Sequence, residues 1–200
     1  MLVFWKERLV FLSVPKTGTT AWEAALAPRA AMSIQDPPEL KHAPVYRYNR
    51  FFRPMLEKFG GDDMETLAVM RDPVDWLGSW YRYRRRPFMA GQRNSTLEMS
   101  FDAFVTAWME DRPPPFANIG SQAKFLEERP NGTGVTHLFR YEDQAGLRRF
   151  LEDRLGGPIE TGRANVSPVL ALDLSPGVLA ALRHKAAADF ALWDAIPLRG

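Results

Sequence analysis

The stretch from Leu9 to Val14 (LVFLSV), followed at once by Pro15-Lys16-Thr17-Gly18-Thr19-Thr20, constrains the fold of this chain more than any other. A short apolar run rich in β-formers and ended by a proline reads as a strand buried on both faces. Such a strand needs partners beside it and a layer over each face. Thr66–Met70 (TLAVM) supplies a second strand and Val135–Phe139 (VTHLF) a third. Helical patterns fill the gaps. One begins near Thr19; Asp72-Pro73 gives an N-cap and a first-turn proline for a helix running to about Arg86. Ser100 caps Phe101–Glu110, and Ser175-Pro176 repeats the device before a stretch to about Trp193. Strands alternating with helices predict an α/β protein, a three-layer parallel sheet flanked by helices, with ligands at the carboxyl ends of the strands.

At 200 residues the expectation is one domain spanning residues 1–200 around one core, since 46% of residues are hydrophobic and 25% charged. No cysteine is present, which removes disulfides and thiolate-held metals, and no other metal cluster is visible. Lys6, Glu7 and Arg8 interrupt the first apolar stretch, so neither a signal peptide nor a membrane span is predicted, and a cytoplasmic location is expected. A net charge of +2 does not imply a nucleic-acid surface, although only six of the 26 basic residues are lysine. Arginine is the side chain that grips phosphate or sulfate with two parallel hydrogen bonds.

Three segments carry chemistry. In Pro15–Thr20, Gly18 permits a tight turn, the first amides of the helix point outward, Lys16 adds a mobile charge, and Thr17, Thr19 and Thr20 add hydroxyls. These are the elements of an anion cradle; the alternative is a plain strand-to-helix turn. The order is not that of a Walker A loop, because the lysine precedes the glycine. Arg71-Asp72-Pro73 ends the second strand, so the Arg71 guanidinium and the first helical amides are expected to converge on one anion, about 10 Å from Lys16 on interstrand spacing. Glu39-Leu40-Lys41-His42-Ala43 brings a side chain that titrates near neutrality, as a proton acceptor requires, with Glu23 as the alternative base. His137 and His184 read as structural. Trp76, Trp80, Tyr81 and Tyr83 fall at core spacing, and Arg82, Arg84, Arg85 and Arg86 read as a solvated helix face.

Pro15–Thr20 and Arg71–Pro73 together resemble the sulfotransferases that use 3'-phosphoadenosine-5'-phosphosulfate (PAPS), and the Lys41-His42 setting resembles their bacterial, carbohydrate-directed branch. The resemblance implies a P-loop-like sulfotransferase fold with PAPS as co-substrate and no metal. It assigns the 5'-phosphosulfate to Lys16, Thr17, Gly18, Thr19 and Thr20, the 3'-phosphate to Arg71 and Ser79, and proton removal to His42. Ser100–Val105, Ser121–Leu126, Phe139-Arg140-Tyr141-Glu142-Asp143 and Asn165-Val166-Ser167 follow the order of further family segments, with Arg140 free to pair with Glu142 or Asp143. The implied acceptor is a saccharide or other small hydroxyl compound, reached through loops 87–99 and 111–120. An ATP-dependent phosphotransferase and a non-catalytic nucleotide-binding module are the competing expectations. Oligomeric state is not legible.

Overall fold

The computed structural model describes residues 1–162 and 172–199; Asn165-Val166-Ser167 lies outside the described residues. Five strands, β1 (Leu2–Phe4), β2 (Leu9–Leu12), β3 (Met32–Ser33), β4 (Glu65–Met70) and β5 (His137–Arg140), form one sheet in the order β3-β1-β2-β4-β5. β4 lies parallel to β2 on one side and to β5 on the other, with Leu12 opposite Ala68 and Met70 opposite Arg140. β1 runs antiparallel to both β2 and β3. The sheet is therefore mixed, which corrects the all-parallel expectation. Residues 5–8, which read only as charges interrupting an apolar stretch, form the turn of a β1–β2 hairpin, with Arg8 at positive φ. β3 has two residues, too few for any alternation to register.

The helices are α1 (Thr19–Leu26), α2 (Pro38–Lys41), α3 (Val45–Arg47), α4 (Arg53–Glu57), α5 (Pro73–Arg84), α6 (Phe101–Trp108), α7 (Gln122–Leu126), α8 (Gln144–Leu155), α9 (Pro176–Lys185) and α10 (Ala187–Ala195). A π turn over Tyr48–Phe52 joins α3 to α4. Asp72 and Ser100 cap α5 and α6 as expected, their side chains accepting from the Asp75 and Ala103 amides. The single helix expected after Ser175 is two, divided at Ala186; the change of direction turns both Leu182 and Phe190 into one apolar cluster.

Strand alternation sends Val10, Leu12, Ala68 and Met70 to one face, against Val45, Tyr48, Leu56 and Leu126. Phe11, Leu67, Val69 and Phe139 go to the other, against Trp22 of α1 and Leu147 and Leu151 of α8. Helices thus cover both faces, and the continuous apolar runs follow from burial on both sides. A third cluster packs α5, α6, α9 and α10 through Trp76, Leu77, Phe104, Val105, Leu182 and Phe190. Among the described residues no helix is long and apolar enough to cross a membrane.

Candidate anion site at the strand edges

The Lys16 and Arg71 segments meet where the parallel strands end. Paired β2 and β4 deliver both turns to one edge, and Arg71 Nη1 donates to the Lys16 carbonyl at 3.2 Å. The Arg71 side chain thus lies back over the loop. Trp76 of α5 pins the same loop, its indole N–H donating to the Pro15 carbonyl at 2.8 Å.

The turn itself is tightly specified. Lys16 and Gly18 have φ of 67° and 74°, and Gly18 sits at the N-cap of α1 without any side-chain cap. No acidic residue occupies the first turn of α1. Its leading amides therefore face outward uncapped, with the positive end of the helix dipole behind them. The Thr17 hydroxyl is buried and donates to the Val14 carbonyl at 2.9 Å, so it braces the turn and leaves only its amide for a ligand. Thr19 is buried and Thr20 exposed.

Lys16 is half-buried, and among the described residues it forms no ion pair with a carboxylate. Its Nζ lies 4.1 Å from the centroid of Tyr83 and 5.5 Å from that of Trp80. Burial, and then the neighbouring Arg86, Arg71, Arg82 and Arg84, bring its pKa down to about 8. Cations gathered at this density favour a multiply charged anion.

Arg71 is held from several directions. Its Nε donates to Asp75 Oδ2 at 2.6 Å, its guanidinium lies 4.2 Å from the Tyr141 centroid, and Arg82 takes the other Asp75 oxygen at 3.0 Å. Asp72 already caps the Asp75 amide, so the start of α5 is closed by its own carboxylate, and what this turn offers an anion is the Arg71 guanidinium and not the helical amides. Ser79, two turns along α5, is buried.

A network that sequence reasoning missed fixes the Arg71 backbone. The Gln122 side chain accepts from the Arg71 N–H at 3.0 Å and donates to the Arg71 carbonyl at 2.8 Å. Gln122 is held in turn by Asp189 of α10, whose Oδ1 accepts from the Gln122 and Ala123 amides at 2.9 and 3.1 Å. Burial pushes the Asp189 carboxyl up, against the hydrogen bonds it accepts. The only signal in the sequence was the order of the Ser121–Leu126 segment.

On the far side of the loop, His42 is anchored to the strand end, its Nδ1 lying 2.7 Å from the Ser13 carbonyl. A carbonyl can only accept, so Nδ1 carries the proton and Nε2 keeps its lone pair. Burial leads the causes that hold the His42 pKa below the ordinary histidine value, although the Ser13 bond opposes it. Glu23 is differently placed: it is buried, takes Ser13 Oγ at 2.7 Å and Lys41 Nζ at 2.8 Å, and lies 3.3 Å from the Met1 amino group. Burial raises its pKa, but the Lys41 and Ser13 bonds and the amino group outweigh that and leave the carboxyl low. A carboxylate so paired is a weak base, whereas among the described residues His42 Nε2 has no hydrogen-bond partner.

Other residues go elsewhere. His137 lies at the opposite edge of the sheet, at the start of β5, 3.0 Å from Glu65, and His184 is exposed on α9. Arg140 turns to the Asp194 carbonyl at 3.0 Å and to the Trp193 ring; Glu142 accepts from the Asp72 amide at 3.0 Å, and Asp143 caps α8. The arginines of α5 are no solvated face. Arg84 is buried and donates to the Pro115 and Phe116 carbonyls; Arg85 Nη1 reaches the Thr96 carbonyl at 2.9 Å and Leu97 at 3.1 Å. Trp76 and Tyr81 are core residues, whereas half-buried Trp80 and Tyr83 wall the Lys16 ammonium.

Fold and site together define a mixed α/β protein with a cationic, aromatic-walled corner at the ends of parallel strands. The chain matches no family model, and no curated protein matches it. Among the described residues, no group of His, Cys, Asp and Glu is arranged to hold a metal ion.

Proposed function

We propose that the chain is a PAPS-dependent sulfotransferase that transfers a sulfuryl group to a hydroxyl of a saccharide or other small acceptor. The supporting observation is the convergence of two cationic turns, distant in sequence, at the edges of β2 and β4, where Arg71 touches the Lys16 loop. The donor set suits a nucleotide with anions at two ends. The uncapped start of α1 and Lys16 would hold the phosphosulfate, and Arg71 the 3'-phosphate. Ser79 joins that second group only if the nucleotide opens its buried surroundings.

In the transfer, the acceptor oxygen bonds to sulfur as the sulfur–oxygen bond to the phosphate breaks, and the acceptor proton passes to His42 Nε2. Charge grows on the departing phosphate oxygen, so the Lys16 ammonium does most there. The wall of Trp80 and Tyr83 keeps that ammonium partly dry, which strengthens its field.

Thermal shift with adenosine 3',5'-bisphosphate, set against ATP with magnesium, is the deciding measurement, followed by transfer from labelled PAPS to a panel of hydroxyl compounds. A clear shift with the bisphosphate, lost in Arg71→Ala, is expected. A shift confined to ATP with magnesium overturns the proposal in favour of a phosphotransferase, and binding without transfer to any acceptor leaves a nucleotide-binding module.

A further inference from the structure

The segment that follows His42 carries an unusual outer surface. Of the seven large apolar side chains exposed among the described residues, five lie within residues 40–59: Leu40, Tyr46, Phe51, Met55 and Phe59, the last 72% exposed. Among the described residues the other two are Phe88 and Leu198.

The geometry explains why the last four of the five share a face. From α3 through the π turn to α4 the chain is continuously helical, and Val45, Tyr48 and Leu56 fill the inner face against the sheet. The π turn adds a residue between Tyr46 and Phe51, and steps of four follow to Met55 and Phe59. Without the wider turn, Phe51 would rotate off the line begun by Tyr46. The outcome is a convex ridge of apolar tips.

Basic side chains are interleaved with it. Residues 45–60 carry Arg47, Arg50, Arg53 and Lys58 against one acid, Glu57, and Glu57 is paired with Arg53 at 2.6 Å. Arg50 lies 5.3 Å from the Phe51 centroid and Arg47 5.5 Å from that of Tyr46. Arg50 and Lys58 are exposed. Asp62 and Asp63 stand beyond the end of the ridge, and Asp63 is held by Arg8 at 3.3 Å.

We propose that this ridge docks the protein on an anionic bilayer surface. Aromatic tips with guanidinium groups beside them match the boundary between acyl chains and phosphate headgroups, where rings enter the apolar layer and guanidinium or ammonium groups meet phosphate. Charge complementarity singles out that occupant. A second copy of the chain docked about a twofold axis would set Arg50 and Lys58 against like charges, and the convex single-helix ridge offers it no groove. Docking is peripheral and needs no span. It brings the His42 edge of the sheet near the lipid surface, because α3 begins three residues after His42.

Co-sedimentation with vesicles tests the idea independently of any catalytic assignment. The full chain should pellet with an equal mixture of phosphatidylcholine and phosphatidylglycerol and stay in solution with phosphatidylcholine alone, and added salt should release it. Phe51→Ser with Phe59→Ser, and separately Arg50→Glu with Lys58→Glu, should each reduce the bound fraction by roughly tenfold or more. Their circular dichroism should match that of the unaltered chain. Failure of the unaltered chain to bind anionic vesicles overturns the proposal, as does equal binding by both variants. A dimer in analytical ultracentrifugation that the phenylalanine variant abolishes, with no vesicle binding, overturns it in favour of self-association.

Discussion

Lys16 is poised where its proton is loosely held. Its pKa of about 8 in the folded protein lies below the ordinary 10.5 expected of the unfolded chain. Between those values the unfolded chain binds more protons, so stability should rise with pH across that window. Lys16→Met should flatten the rise in thermal melts. An anion bound at the loop favours the charged ammonium, so affinity for adenosine 3',5'-bisphosphate should fall as pH passes about 8 in the unaltered protein and stay level in Lys16→Met, as isothermal titration reads it. Turnover in that variant should drop on the order of a hundredfold. For His42, depressed by burial, turnover should be lost only on acidification below the ordinary histidine range. His42→Ala should remove that limb and lower kcat by about a hundredfold or more. Lys16 and Arg71 were legible as strand-end residues because turn grammar places a residue relative to its own strand or helix, whereas His42 stood out only as a side chain that titrates near neutrality in a Lys-His setting. Gln122 and Asp189 were not, since a lone polar side chain says nothing of a partner 51 or 67 positions away.

Among the elements, α5 shows how far local pattern reaches. Asp72-Pro73 announced its start correctly, and the spacing of its aromatics announced a buried face. Its arginines were misjudged because charge runs usually face water, whereas here loops fold back and offer carbonyls to them. Arg85 Nη1 serves Thr96, Leu97 and Met99 carbonyls on the segment after α5. Arg85→Ala should therefore cost about 1–3 kcal/mol in denaturant unfolding and speed limited proteolysis within residues 87–99. The α1 turn is fixed by a different device. A Cβ on Gly18 would stand 2.9 Å from the Tyr141 ring, which itself lies under Arg71. Gly18→Ala should combine left-handed strain of about 1 kcal/mol with displacement of that ring, and nucleotide affinity by titration should fall with it.

Across the molecule, the C-terminal helices act on the site through a relay of contacts. α10 supplies Asp189, which orders the start of α7, which presents Gln122 to the Arg71 backbone. Asp189→Ala strands one buried and one partly buried amide, so a loss of about 1–3 kcal/mol is expected in thermal or denaturant melts. Nucleotide affinity should weaken through Arg71 while Lys16 stays in place. Asp189→Asn, which keeps an acceptor oxygen and sheds the buried charge, should restore most of both.

Reading the residues in order was enough to find β2 and β4 as buried strands and β5 as a third, to start α1, α5 and α6, and to end one strand on a lysine turn and another on an arginine turn, whereas the fully buried β1 went unread. Those are local matters of apolar runs, prolines and caps, decided within a few residues. It took the folded chain to make the sheet mixed, to lay Arg71 against the Lys16 loop, and to spend Glu23 on Lys41 and Ser13 while His42 Nδ1 meets the Ser13 carbonyl. Pairing direction, ion-pair choice and desolvation depend on what the fold sets beside each group, and those neighbours arrive from distant parts of the chain.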